Sequence, residues 1–248
     1  MTEQAKCTIG VTILQNGLAI GELYEPTLPD TTGEESDTSS QNNDGGVKTK
    51  CIGWLTNGNL SFKKYYTGSA ADETLRTSIS DRTFYNWTVV MPHNFNSGAN
   101  GYSWNGQIAK STLVADGSAP AYLDMEVTVN GKMTPTSTAA TGLTTTFFSI
   151  ADDGANALTP SPAASATVFE YEVEAHSDSV SVTITPVATA GTIYVNGTVV
   201  PTTEASGAIT LNSGTGSVTM ISIVVTETNK TPKIYWLRVW IGTTTGAV

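Results

Sequence analysis

Hydrophobic residues along this chain recur mainly with a period of two, the spacing of a strand with one face turned inward. Cys7 to Leu14 places Ile9, Val11 and Ile13 on one side and Thr8, Gly10 and Thr12 on the other, which predicts a half-buried strand. Asn16-Gly17 supplies a type I′ turn, and Leu18 to Tyr24 reads as a second short strand ended by Pro26 and Pro29. Val47 to Leu55 and Leu60 to Tyr66 read as a hairpin across Asn57-Gly58, with Lys63-Lys64 on an edge or a solvated face. Thr83 to Met91 and Tyr102 to Val114 follow as strands. Tyr122 to Val129 has the cleanest alternation of this half: Leu123, Met125, Val127 and Val129 on one face, Tyr122, Asp124, Glu126 and Thr128 on the other. One stretch breaks the period. Between Thr67 and Arg82, Ser69 can cap a helix with Asp72 and Glu73 in its first turn, and Ala71, Leu75, Ser78 and Ile79 fall near helical spacing.

The second half is more regular. Phe147, Phe148 and Ile150 lead into Asp153-Gly154; Phe169, Tyr171, Val173 and Ala175 alternate with Glu170, Glu172 and Glu174. Val180, Val182 and Ile184 alternate with Ser and Thr, Ile193 and Val195 precede Asn196-Gly197, and Ile209 and Leu211 precede Gly214. Ile221, Ile223 and Val225 form a further strand, and Tyr235, Leu237, Val239 and Ile241 form the last. Short strands punctuated by turns, with no helix between them, predict a β-sandwich. The Thr/Ser/Ala-rich stretch that starts at Pro135 has little to bury and reads as a linker. The expected organisation is a first domain over 1–136, a linker over 137–143 and a sandwich over 144–248.

Against this pattern stands Thr27 to Gly46. It holds five acids (Asp30, Glu34, Glu35, Asp37, Asp44), no base, and no apolar side chain after Leu28. It cannot contribute to a core, and it reads as a long polar loop inside a strand-rich domain.

Charge sharpens the picture. The net charge is −10, from 9 bases and 14 acids in residues 1–136 and 3 bases and 8 acids in residues 137–248. Such a chain does not grip phosphate, and it suits a surface that must not. No signal-peptide pattern stands at the N-terminus and no apolar run approaches a membrane span, so no membrane insertion is expected. Cys7 and Cys51 read as reduced thiols, with a disulfide left open. Nothing points to catalysis, a cofactor or a metal. His93 and His176 sit in polar turn contexts without neighbours at ligand spacing, and Asp152-Asp153-Gly154 opens like a calcium loop but lacks its closing glutamate. Trp54, Trp87 and Trp104 read as core or interface aromatics before they read as a stacking platform.

The order of the first half is similar to that of the major tail tube proteins of long-tailed bacteriophages: an early strand (Thr8 to Leu14), a Pro-containing segment (Glu25 to Pro29), a long acidic loop, a hairpin, one short helix near Asp72 to Ser80, a strand ending in Pro92, and two final strands. Residues 145–242 resemble the cadherin-like or immunoglobulin-like sandwich modules of bacterial and phage surface proteins, through Leu158-Thr-Pro160, Phe169-x-Tyr171, Ile193-Tyr194-Val195-Asn196-Gly197, Ile209-x-Leu211 and Tyr235-x-Leu237-Arg238-Val239. The fold implied is mainly β: a tail-tube β-sandwich or barrel domain with one short helix and a long loop, followed by an immunoglobulin-like sandwich.

The resemblance implies a non-enzymatic structural virion protein. Hexameric rings would close four strands per subunit into an inner barrel and stack into a tube. Its partners would be further copies of itself, the tape measure protein, and tail terminator and distal tail proteins. Genomic DNA would pass without specific binding. The protein would be assembled in the host cytoplasm and reside in the virion. It further implies that the long loop, with Asp30, Glu34, Glu35, Asp37 and Asp44, reaches a neighbouring ring, so that removing Thr32 to Gly45 would leave a folded domain unable to form tubes. Asp124 and Glu126 are candidates for a net acidic lumen wall; the alternative is that they face outward. Two rival readings are a bacterial surface adhesin and a carbohydrate-binding protein, each built of two β modules.

Overall fold

The computed structural model describes residues 11–21, 23–37, 50–91, 101–115, 117, 120–136, 138–163 and 168–243. Cys7, Asp44, Pro92, His93 and Asp116 lie outside the described residues, as do the side chains of Cys51 and Trp54. The chain is mainly β, and among the described residues its one helix is short.

In chain order the first strands are β1 (Thr12–Gln15), β2 (Leu18–Ile20), β3 (Leu23–Thr27), β4 (Thr31–Asp37), β5 (Lys50–Asn57) and β6 (Leu60–Tyr65). Helix α1 (Ala70–Thr77) precedes β7 (Tyr85–Val90), β8 (Gly101–Gly106), β9 (Ile108–Val114), β10 (Tyr122–Val127) and β11 (Asn130–Thr136). They build a five-stranded sheet in the order β11-β8-β7-β1-β2, a four-stranded sheet in the order β3-β6-β10-β9, and a two-stranded sheet of β4 and β5. The rest of the chain contributes β12 (Leu143–Asp152), β13 (Ala157–Leu158), β14 (Pro160–Ser161), β15 (Glu170–Ala175), β16 (Ser181–Ala188), β17 (Thr192–Val195), β18 (Thr198–Val199), β19 (Ile209–Thr210), β20 (Val218–Thr226) and β21 (Lys233–Ile241). These form an immunoglobulin-like sandwich of a four-stranded sheet, β13-β12-β16-β19, and a six-stranded sheet, β14-β15-β21-β20-β17-β18.

Two compact units interleave along the chain. The first holds residues 1–8, 22–85 and 104–133, the second residues 9–21, 86–103 and 134–248. The first unit is built on the four-stranded sheet. Strand β10 buries Leu123, Met125 and Val127 completely and leaves Tyr122, Asp124 and Glu126 partly exposed. Its neighbour β6 buries Leu60 and Phe62 on the same face, because Met125 stands opposite Phe62 and Val127 opposite Leu60. One face is therefore core and the other polar, as the alternation predicts.

The expected hairpin across Asn57-Gly58 does not form. Strand β5 pairs with β4, from Thr31 opposite Asn57 to Asp37 opposite Lys50, while β6 pairs with β3 and β10. The chain leaves through β3 and β4 and returns through β5 and β6 as one antiparallel ribbon. Asn57-Gly58 marks an offset along it, where Gly58 N–H donates to Asp30 C=O at 2.8 Å. Asn57 fastens the spot, accepting from Thr31 Oγ1 (2.8 Å) and donating to Gly131 C=O (2.7 Å). The polar loop expected over Thr27 to Gly46 is thus strand over Thr31–Asp37, and residues 38–46 lie outside the described residues. Its β-branched Thr31 and Thr32 suit a strand, and the backbone of an exposed ribbon needs no apolar side chains to satisfy its hydrogen bonds.

Two further expectations are corrected. Tyr102 to Val114 is two strands in two sheets, broken at Gln107, whose N–H donates to Thr128 Oγ1 at 3.2 Å. The stretch from Pro135 is no free linker: Thr136 ends β11, Ala139 bridges to Thr231, Ala140 N–H donates to Thr231 C=O at 2.8 Å, and Ala140 is buried. The boundary expected over 137–143 falls inside the second unit.

In that unit the sandwich core joins Tyr171, Val173 and Ala175 of β15 to Leu237, Val239 and Ile241 of β21, Ile221, Ile223 and Val225 of β20, Val182 and Ile184 of β16, and Phe148 and Ile150 of β12. The Glu170, Glu172 and Glu174 row faces out, as its alternation predicts. Strand β1 departs from expectation here. It is buried on both faces, Ile13 at 0% and Leu14 at 1% exposure. Leu14 and Ala19 pack on Val224 with Tyr194, Ile234 and Trp236, the outer face of the six-stranded sheet. Two type I′ turns make this close approach possible. Asn16-Gly17 and Asn196-Gly197 all have positive φ (+48°, +82°, +46°, +79°). A Cβ on Gly17 would lie 2.6 Å from the Tyr194 ring, and one on Gly197 would lie 2.9 Å from Leu18 Cβ.

Gly17→Ala and Gly197→Ala are therefore expected to destabilise the protein by about 1–2 kcal/mol for the left-handed backbone and by about 1–3 kcal/mol more for the overlap. Gly131→Ala, with a similar φ of +81° and open space around it, should show the backbone cost alone. Urea denaturation of the three variants checks the difference.

Candidate assembly site

The polar face of the four-stranded sheet carries a paired set of charges. Asp124 stands opposite Lys63 on β6 and Thr112 on β9; Glu126 stands opposite Ser61 and Lys110. Lys110 Nζ lies 2.5 Å from Asp124 Oδ2, Lys63 Nζ 2.5 Å from Glu25 Oε2, and Asn59 Nδ2 donates to Glu126 Oε1 at 2.6 Å. Glu25 reaches Lys63 because β3 bulges there: Pro26 has no N–H for the ladder, the register shifts between Tyr24 and Thr27, and Glu25 takes a φ of +51°. The hydrogen bond to Glu25 raises the Lys63 pKa, and that to Asp124 raises the Lys110 pKa, so both ammonium groups stay charged and engaged.

Lys63 also lies 5.8 Å from the Tyr24 ring centre and 5.5 Å from that of Tyr122. Tyr24 stacks on Tyr65 at 4.7 Å and meets Tyr122 edge-on at 5.8 Å. Burial in this cluster, aided by Tyr122, pushes the Tyr24 hydroxyl up to about 12. Two bases (Lys63, Lys110) face three acids (Glu25, Asp124, Glu126), so the face carries one net negative charge and both of its lysines are masked.

On the core face of the same sheet lies the other half of the Lys63-Lys64 pair. Lys64 is neither on an edge nor solvated; β6 lies between β3 and β10, and Lys64 pairs with Asp72, whose side chain is 0% exposed. Asp72 also accepts from Thr67 N–H and Thr67 Oγ1, each at 2.7 Å, and its own N–H donates to Ser69 Oγ, the expected cap. Burial pushes the Asp72 carboxyl up, but Lys64 and Thr67 outweigh it and hold the group below its ordinary value. The helix is thereby pinned to β6.

Of the acids expected to line a loop, those described fall on the ribbon or just before it. Glu34 and Glu35 are exposed on β4, and Asp30 is exposed just before it; Asp37 ends β4, its side chain, like Asp44, outside the described residues. Strand β4 belongs to a different sheet from that of Asp124 and Glu126. The ribbon also bears two exposed apolar side chains, Ile52 at 70% and Leu55 at 66% exposure. Val47 to Leu55 read as a hairpin strand with no face assigned, so the exposure of these two was missed. Lys63 and Lys110 were legible only as strand positions, and nothing in the sequence joined Glu25 to Lys63.

Elsewhere, His176 is not a free surface histidine. Its Nδ1 is hydrogen-bonded to Asp152 Oδ2 at 2.6 Å, across 24 residues of sequence. Asp152 also accepts from Asn156 N–H, Asn156 Nδ2 and Ser179 Oγ. Ser179 bonds the carboxylate and not the imidazole, so the trio is not a nucleophile–base relay. The carboxylate that opened the apparent calcium loop is spent on this turn, and no group of three metal-ligating side chains occurs among the described residues. Trp87 and Trp104 are buried, as expected of core aromatics.

Residues 155–240 match the family model of the cadherin-like β-sandwich domain. No curated protein matches the chain in sequence. Among solved structures, a chain of the anti-feeding prophage baseplate aligns with 51% of this chain and 91% of its own length, at 10% identity and a TM-score of 0.42. A chain from the tail of an empty gene transfer agent particle aligns over 51% and 94%, at 16% identity and a TM-score of 0.42. One from the virion of a native gene transfer agent particle aligns over 51% and 95%, at 17% identity and a TM-score of 0.43.

Two outcomes are expected. Replacing Glu25 by Gln and Asp124 by Asn together should unmask Lys63 and Lys110, giving double-stranded DNA binding at low salt that falls steeply as salt rises, where the parent protein shows none; a filter-binding salt titration reads it. Asp72→Asn should cost roughly 3 kcal/mol at neutral pH by leaving Lys64 unpaired. Because the folded-state pKa of Asp72 is depressed, its contribution is complete above the ordinary carboxylate range and is lost as pH falls through the folded value. The variant's stability should therefore fall less than the parent's on acidification, as measured by denaturation at a series of pH values.

Proposed function

We propose that the chain is a structural virion protein that assembles into stacked hexameric rings of a phage-type tail tube, without enzymatic activity. The observation that carries this reading is the four-stranded sheet of the first unit. It has one core face, one polar face, and edge strands β3 and β9 that have no further partner strand among the described residues. Free edges invite pairing, and joining β3 of one copy to β9 of the next would close the sheets into a barrel and remove them. The polar face would line the lumen, its masked lysines and net negative charge letting DNA slide. The first unit would supply the tube wall, and residues 144–248, within the second unit, would be the appended sandwich. Tape measure, tail terminator and distal tail proteins would be its partners in the virion, following assembly in the host cytoplasm.

The β4–β5 ribbon would reach the neighbouring ring. Ile52 and Leu55, both exposed on this arm, are what such a contact would cover. Removing Thr32 to Gly45 would delete most of β4 and strip β5 of its partner, so point changes test the contact more cleanly.

Purified protein at high concentration is expected to show rings and tubes by negative-stain electron microscopy. Ile52→Lys with Leu55→Lys should keep the thermal unfolding curve of the parent yet stop at single rings or below. A parent protein that remains monomeric at every concentration would sink the reading.

A further inference from the structure

The second unit contains a cavity of about 470 Å³, within the range of small-molecule sites. Its walls come from the β1–β2 turn, β7, β8, β11, β17 and the loop between β20 and β21, all in residues of that unit. The lining is amphipathic: apolar surface, including Leu14, Pro232 and the ring of Tyr194, alternates with uncharged hydrogen-bonding groups, among them the carboxamides of Asn16, Asn86 and Asn229 and the hydroxyls of Ser103 and Thr134.

The fold fixes several of these groups. Asn16 N–H donates to Asn86 C=O at 2.8 Å, and Asn86 N–H donates to Asn16 Oδ1 at 2.8 Å. That clamp leaves the Asn16 Nδ2 donor held in place. The Tyr194 ring is braced by Gly17. Thr136 and Thr231 share a buried hydroxyl–hydroxyl bond of 2.8 Å at the cavity's edge. The two charged side chains in the lining cancel each other: Lys230 pairs with Glu227, which also accepts from the Thr141 N–H, and Lys230 with that N–H pulls the Glu227 carboxyl down to about 2. No free charge is left to select an anion or a cation. An apolar ligand would strip water from amides and hydroxyls without replacing their hydrogen bonds.

We propose that this cavity binds a neutral polyhydroxylated ligand, one hexose or N-acetylhexosamine unit. Such a ligand offers hydroxyls that both donate and accept, matching a wall of amides and hydroxyls, and C–H faces that can lie against Tyr194. Occupancy does not depend on assembly into tubes, so the two readings can fail separately.

The test is saturation-transfer NMR on the full chain with glucose, galactose, N-acetylglucosamine and N-acetylgalactosamine, and with bacterial surface polysaccharide carrying these units. Thr134 is exposed on β11, so Thr134→Trp should fill the mouth without unfolding the chain, and Asn86→Ala removes one carboxamide. The expected result is saturable transfer from at least one neutral sugar at concentrations up to about 10 mM, with affinity at least roughly tenfold lower in Thr134→Trp. Glucose 6-phosphate should bind no tighter than glucose, because Lys230 is already paired. Binding of a free monosaccharide identifies a soluble sugar as sufficient, and binding only of the polysaccharide identifies a unit within a chain; both support the site. Absence of transfer from every neutral sugar and from the polysaccharide overturns it. So does transfer undiminished in both variants while their unfolding curves match the parent's.

Discussion

The first unit depends on the one-sided burial of β10. Leu123, Met125 and Val127 are each fully buried, while the three residues between and before them keep contact with water. A slip of one residue would exchange the two sets, burying Asp124 and Glu126 and exposing three large apolar side chains. That cost fixes the register of β10 against β6 and β9. It also decides which lysine faces which acid, since Lys63 and Lys64 are consecutive and must point to opposite faces. Lys64 goes inward, where the buried carboxylate of Asp72 and the Tyr65 carbonyl receive it, and Lys63 goes outward to Glu25. The helix is held to the sheet by the first of these pairs, so the polar face and the helix follow from one alternation.

Wherever one face was buried and the other wet, the sequence could be read directly. The alternation of β10, β15 and β21 and the Ser69 cap with its acidic first turn match the structure closely. What could not be read has physical causes. Strand β1 is buried on both faces, and the second burial comes from Val224 and Trp236, more than two hundred residues away in the chain; its Leu14 looked like the end of an alternation. Asn57-Gly58 has the composition of a tight turn, but turn propensity is local, and β5 pairs instead with β4, a strand too polar to reveal itself through hydrophobicity. His176 found Asp152 through the sandwich topology, which spacing along the chain does not encode.

The polar face was legible as polar but not as balanced. Alternation placed Asp124 and Glu126 on it; the lysines that answer them come from the two neighbouring strands, and Glu25 arrives by a bulge that only Pro26 hinted at. The surplus of acids in the whole chain had suggested a wall that repels phosphate through bulk charge. The structure gives that surplus a more local role. Exposed ion pairs of this kind add little stability, so their presence is better understood by what they withhold. A lysine already hydrogen-bonded to a carboxylate releases no counterion when a phosphate approaches and gains little by turning to it.

The same logic separates the two units chemically. In the first, charge is paired across an exposed sheet face; in the second, the Glu227–Lys230 pair leaves amides, hydroxyls and apolar surface to line a cavity. Neutralising charge in place, and not excluding it, is the common device. It permits an acidic, weakly apolar chain to present surfaces whose specificity rests on shape and hydrogen bonding. If the proposed roles hold, such surfaces would let a polyanion pass and would discriminate a neutral ligand, because neither task would be overridden by an unpaired charge with its long reach.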